Sequence, residues 1–254
     1  MSIPQRPGTE PTGEGSPEEL AAAGLDPNEK PRLLPQGLFE HMRANPTIAP
    51  EMLALAAVER FGPEAQQWIA EFRSRFPYVT EAHLATVTRT RFIRLSRYSG
   101  AVAGVAGGLG AVVDFGVLAW NQARMVIYLA TIYGEDPTSR DRAVELLTLQ
   151  NVHKMVGTAQ TALDVAARKV PPTELLKHHS TAQSTTGSLI ALSVVLAKMG
   201  GMTMVKKGAM KFIPFAAVPL GALANAGSTK KLADKAIAMY AYRRFHGRPQ
   251  LPPA

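Results

Sequence analysis

The 254 residues suffice for one core-bearing domain, and 46% apolar against 19% charged side chains places the chain outside the disordered class. The lack of cysteine excludes a disulfide scaffold, a thiol nucleophile and every Cys-ligated zinc or iron–sulfur site. The net charge of +8 is unevenly spread: residues 1–58 carry 4 basic and 8 acidic side chains, residues 59–165 carry 11 and 10, and residues 166–254 carry 13 and 2. A cationic C-terminal third calls for an anionic partner, which could be a membrane surface, an acidic protein or nucleic acid.

Nine of the 19 prolines fall within the first 50 residues, among glycines and a surplus of acids, which predicts a disordered acidic tail over residues 1–46. Met1–Glu19 holds no apolar run that could form a signal-peptide core, so the expected location is the cytoplasm. Helix signals then follow one another, and no strand is predicted. Pro50 and Pro63 each suit the first turn of a helix, giving spans to about Phe61 and about Phe76. Thr80 is the expected N-cap of a longer helix carrying Leu84, Val87, Leu95 and Tyr98. Gly100 to Tyr133 is the most apolar stretch, interrupted by Asp114, Asn121, Gln122 and Arg124, with Gly134 as its C-cap. Asp136-Pro137 is expected to restart a helix to about Val156, and another covers Ala159 to Lys169 before Pro171-Pro172 breaks the chain. A helix from Thr173 then passes His178 and His179 into Leu189 to Ala197 and stops at Gly200-Gly201. A last amphipathic helix is predicted from about Thr229 to Phe245. The fold class is all-α: a multi-helix bundle over residues 47–248, with apolar Gly/Ala-rich helical hairpins and a short tail over residues 249–254.

Gly100, Gly104 and Gly108, with Gly107, Gly110 and Gly116, make a small-residue ridge that lets another helix approach closely, in lipid or in a soluble core. The stretches Gly100 to Trp120 and Gly187 to Val205 are borderline in length and apolarity for crossing a membrane. Asp114 and Asn121 fall on one helical face with Arg124 close by, so the three are a candidate polar network, either binding a head group or joining neighbouring helices. Arg89, Arg91, Arg94 and Arg97 precede the glycine-rich stretch, and Lys206, Lys207 and Lys211 precede a second apolar patch. Lys230, Lys231, Lys235, Arg243 and Arg244 follow on the last helix beside Tyr240, Tyr242 and Phe245. A basic block beside an apolar stretch is what an anionic head group attracts, at about 1 kcal/mol per charge near the surface. The bland reading of each block is a solvated helix face.

Catalytic constellations are poor, and no catalytic residue, metal ligand set or cofactor is predicted. The six histidines show no metal spacing, and His178 and His179 point to different faces of a helix. Ser228-Thr-Lys-Lys231 matches the S-x-x-K string of some serine hydrolases without its companion motifs, and reads better as an N-cap ahead of a basic helix. No groove-reading motif supports nucleic acid as a partner.

The helix containing Asp114 and ending in Tyr133-Gly134-Glu135-Asp136-Pro137 resembles the EcsC protein family, as does Pro219-Leu-Gly-Ala-Leu-Ala-Asn225 with the helix carrying Thr229, Ala236, Tyr240 and Arg243. The likeness runs from about Pro50 to Phe245 and makes Asp114, Tyr133, Gly134, Asp136 and Asn225 the matched positions. It implies an all-α bacterial protein associated with the cell membrane or with a transporter, and it brings no agreed catalytic residue. The expected function is non-enzymatic, with an anionic lipid surface or a membrane protein, ABC transporter components among them, as partner. The expected location is the cytoplasmic side of the cell membrane, peripheral or integral. The alternatives are a soluble protein-interaction module and an enzyme acting on a lipid or other hydrophobic substrate through Asp114 and a histidine.

Overall fold

Helix follows helix in the computed structural model, which describes residues 29–99, 107–177, 186–200 and 217–247. After an extended N-terminal strap (residues 29–35) come α1 (Gln36–Ala44), a 3-10 turn (Pro46–Ile48), α2 (Ala49–Arg75) and α3 (Glu81–Ser99). The chain continues with α4 (Gly107–Ile132), α5 (Asp141–Leu149), α6 (Val156–Lys169), α7 (Pro172–Leu175), α8 (Thr186–Met199) and α9 (Ala217–His246). Among the described residues there is no strand, and the architecture is the all-α bundle that the helix signals predict.

The centre of the bundle is α4, which packs against α2, α3, α5, α8 and α9. From Leu118 to Ile132 its side chains are buried on every face, as befits a helix surrounded by others. Trp120 meets Phe61 of α2 with ring centroids 4.6 Å apart, and Tyr128 meets Trp68 at 5.0 Å. Gly116 lies under Leu34 of the strap: a Cβ there would come within 2.9 Å of that side chain.

Two predicted helix ends are present as drawn. The Thr80 hydroxyl accepts from the His83 amide at 3.3 Å, capping α3. Gly134 takes φ +84° just past α4, with its amide donating to the Thr131 carbonyl and that of Glu135 to Ala130, a Schellman closure that a side chain would strain.

Other boundaries differ from expectation. Pro63 does not open a helix; it lies inside α2, where it costs the bond to the residue 59 carbonyl. The helix continues because its first ten residues are buried and because Gly62 packs under the 137–138 turn, so close that a Cβ would stand 2.8 Å from the Pro137 carbonyl. The helix after Asp136 starts only at Asp141 and ends at Leu149, since Asp136 is spent on a turn and Asn151 adopts φ 54°. The last helix begins well before Thr229, at Ala217, because Pro219 sits in the first turn, where amides have no intrahelical acceptor. Ser228 is therefore mid-helix and not an N-cap; its hydroxyl donates to the Asn225 carbonyl. The region read as a tail up to residue 46 includes α1, whose Leu38 and Met42 are fully buried, an i, i+4 pair that docks on α2.

None of the described helices is long and apolar enough to cross a membrane. The obstacle in α4 is its own polar set, Asp114, Asn121, Gln122 and Arg124, all buried. Gly100, Gly104, His178, His179, Lys206, Lys207, Lys211 and residues 1–28 and 249–254 lie outside the described residues.

Candidate anion-binding site

The basic residues divide into those that look inward and those that look outward. Arg124 is buried and donates to Glu29 at 2.6 Å, Glu64 at 2.7 Å and the Tyr128 hydroxyl at 3.3 Å. Arg91 is also buried and shares Glu29 with it. Burial would raise the carboxyl of Glu29, but the two guanidinium groups outweigh it and hold it below the usual range. Arg91 is lowered by burial and by Arg124; burial acts on Arg124 in the same direction, but Tyr128 and the carboxylates of Glu29 and Glu64 outweigh it and leave Arg124 raised. The arginine planes lie over Phe61, Phe92 and Tyr128, which suits a weakly hydrated guanidinium.

Asn121 makes the strap's other attachment. Its side-chain oxygen accepts from the Arg32 amide at 3.0 Å, and its amide nitrogen donates to the Arg32 carbonyl at 2.9 Å. Asn121 and Arg124 thus hold the strap, but the structure does not bring Asp114 into a network with them. Seven residues along a helix is about 10 Å of rise, too far for a direct bond. Asp114 Oδ2 is buried without a hydrogen-bond partner, and burial alone raises its carboxyl to about 6.

A second inward cluster joins α5 to α9. Arg142, with no exposed surface, reaches Glu145 at 2.8 Å and Glu135 at 3.2 Å. Arg243 also pairs with Glu145, and the buried Tyr240 hydroxyl donates to that carboxylate at 2.8 Å. Burial, then Glu145, pushes the Tyr240 hydroxyl well up. Arg91 and Arg243 therefore do not belong to an anion-facing surface. Arg89 is taken by Asp234 at 2.6 Å, which Lys230 shares at 2.9 Å, and Arg244 reaches Glu81 at 3.5 Å. Arg94 is half-buried and Arg97 is exposed at the end of α3.

Of the sequence-predicted lysines, Lys231 and Lys235 remain exposed with no acidic partner among the described residues. They border a cleft of about 210 Å³ between α4, the C-terminal end of α5, the C-terminal end of α8 and α9. Its polar wall is a chain of amides and hydroxyls. Gln150 donates to Gln122 Oε1 at 3.4 Å, and Gln122 donates to Thr229 at 3.1 Å and Ser228 at 3.3 Å. Gln150 Oε1 is buried and has no partner. No carboxylate is among the described residues lining the cleft, so its charge is set by the two lysines.

The remaining matched positions build the frame. Tyr133 and Gly134 close α4, and Asp136 accepts from the Thr138 amide at 2.9 Å and its hydroxyl at 2.7 Å, bonds that hold its carboxyl low. Asn225 is buried, with Oδ1 unpartnered. Gln150, Glu29, Glu64, Arg142 and Glu145 are not among the residues expected from sequence to form a site. Arg142 with Glu145 and Arg60 with Glu64 carry a local signal, an opposite-charge pair three or four apart on one helix.

These features define a helical bundle stitched by buried arginine–glutamate clusters, with a basic cleft at one side. The family model of the EcsC protein family matches residues 82–245, and the chain belongs to that family. The match begins within α3, so the strap, α1 and α2 lie outside it although they complete the core. No curated protein and no solved structure matches the chain.

Proposed function

We propose that the chain is a non-enzymatic protein that binds an anionic membrane surface from the cytoplasmic side, without crossing the bilayer. The observation that carries this reading is the placement of three exposed lysines around one cleft. Lys231 and Lys235 stand at the cleft, and Lys198, also exposed without an acidic partner among the described residues, directly precedes the Met199–Gly200 edge of that cleft. Ile190 and Val194, 61% and 42% exposed, lie two turns and one turn before Lys198 on the same side of α8. Apolar side chains leading to lysines suit an interface where carbon meets head groups.

Sedimentation with vesicles tests it. Binding is expected to rise with the fraction of anionic lipid, to weaken with salt, and to drop in Lys198→Glu/Lys231→Glu/Lys235→Glu. Protein left in the supernatant at every lipid composition overturns the reading. If native membranes bind it and protein-free vesicles of their lipids do not, the partner on this face is a membrane protein, such as a transporter component, to which Ile190 and Val194 would dock.

A further inference from the structure

The cleft has more structure than a charged surface needs. Lys231 and Lys235 are four residues apart on α9, so they project side by side over its mouth. Their neighbour Lys230 is neutralised by Asp234, while these two face no carboxylate in the described wall. Two ammonium groups at that spacing match one doubly charged anion, and lysine serves phosphate well as a point charge.

Gln150 is part of the cleft wall, and its Oε1 is a buried acceptor with no hydrogen-bond partner. Leaving such a group unmet costs about 1–3 kcal/mol, which a ligand bearing a donor would recover. Its own amide nitrogen already donates to Gln122, and Gln122 in turn to Ser228 and Thr229, so Oε1 is the group of Gln150 left to a ligand. A bare anion answers the lysines and leaves Gln150 Oε1 unmet. A phosphate ester with a free hydroxyl does: phosphate on the lysines, hydroxyl donated to Gln150. At about 210 Å³ the space falls below the roughly 300–1,000 Å³ of drug-sized sites, which favours a short polyol ester over a nucleotide.

We propose that this cleft binds a hydroxylated phosphate ester of the glycerophosphate type, with Lys231 and Lys235 on the phosphate and Gln150 on a hydroxyl. The choice of ligand rests on the anionic-surface reading: phosphatidylglycerol presents a glycerol phosphate head group as a singly charged diester, and free glycerol phosphate presents the same hydroxyls beside a doubly charged monoester, the closer match to two lysines.

Calorimetric titration of the full chain with glycerol 1-phosphate, with inorganic phosphate, and with vesicles of equal charge made with phosphatidylglycerol or phosphatidylserine separates the cases. Saturable binding of glycerol phosphate is expected, at least tenfold tighter than inorganic phosphate and lost in Lys231→Ala/Lys235→Ala, whose surface substitutions leave the fold intact. Gln150→Leu should weaken glycerol phosphate about tenfold and leave inorganic phosphate unchanged. Competition by phosphatidylglycerol vesicles over phosphatidylserine ones identifies the lipid head group as the source, and its lack identifies the free ester. No saturable binding of glycerol phosphate, binding untouched by the lysine substitutions, or equal binding of inorganic phosphate each overturns the proposal. Vesicle binding without glycerol phosphate binding removes this inference and leaves the surface reading standing; the reverse removes the surface reading alone.

Discussion

Arginine and lysine carry the same charge, yet in this chain they do opposite work. Arg91, Arg124 and Arg142 are buried and hold the strap, α2 and α5 to the bundle, while Lys198, Lys231 and Lys235 stay in solvent around one cleft. The difference lies in the head groups. A planar guanidinium with five donors can satisfy two carboxylates and lie on an aromatic ring, whereas a compact ammonium holds its water tightly. A surplus of basic residues is therefore no measure of basic surface; what counts is how many have found an internal acid.

The largest effect that could break this contrast is at Arg142. Arg142→Met leaves the buried Glu145 and the half-buried Glu135 short of a partner, and should cost about 3–5 kcal/mol in urea unfolding. Lys231→Ala should cost under about 0.5 kcal/mol, as an exposed residue outside any buried cluster. Similar costs at the two positions would mean that the arginine cluster is not structural.

A smaller effect sharpens the role of the strap. Asn121→Ala removes both bonds to the Arg32 backbone, at about 1–2 kcal/mol, while Glu29 keeps its arginines. Because the rest of the bundle is unaffected, trypsin should cut after Arg32 faster than in the parent chain while the circular dichroism signal holds. An unchanged cleavage rate would show that the ion pairs alone hold the strap.

What was legible in the sequence follows from how local each determinant is. Thr80 and Gly134 act on their own backbone within one turn, and both helix ends stand where those residues place them. The absence of strand signals led directly to the fold class. Pro63 misled because its local preference was overridden by packing at Gly62, a contact with residues far along the chain. Composition misled at the N-terminus: prolines and acids dominate it, yet Leu38 and Met42 at helical spacing are core residues, and Glu29 is the partner that Arg91 and Arg124 require. Gln150 gave no local sign at all, since its meaning depends on Gln122 of another helix. Asn121 and Arg124 were readable as a polar pair in an apolar run, but not that their partner was the strap.

Asp114 is the inward residue that found no acid–base partner, and it gives the contrast a pH dependence. Burial alone lifts its carboxyl to about 6, against about 3.9 for an unfolded aspartate, so the folded chain binds the proton more tightly. Stability from this group is full below about pH 4 and is lost as pH rises through 6, the reverse of the half-buried Glu29, whose lowered carboxyl favours the fold at neutral pH and weakens it as acid is added. Asp114→Asn should remove the loss, stabilising the chain at pH 7 by about 1 kcal/mol, less than the full conversion because solvent screens part of the penalty. At pH 4 the gain should vanish, since both chains then present a neutral side chain. Urea unfolding of the two proteins across pH 4 to 7 tests the sign: a variant less stable than the parent at pH 7 would mean that the ionised carboxylate is held by a favourable contact, and that Asp114 belongs with the paired residues after all.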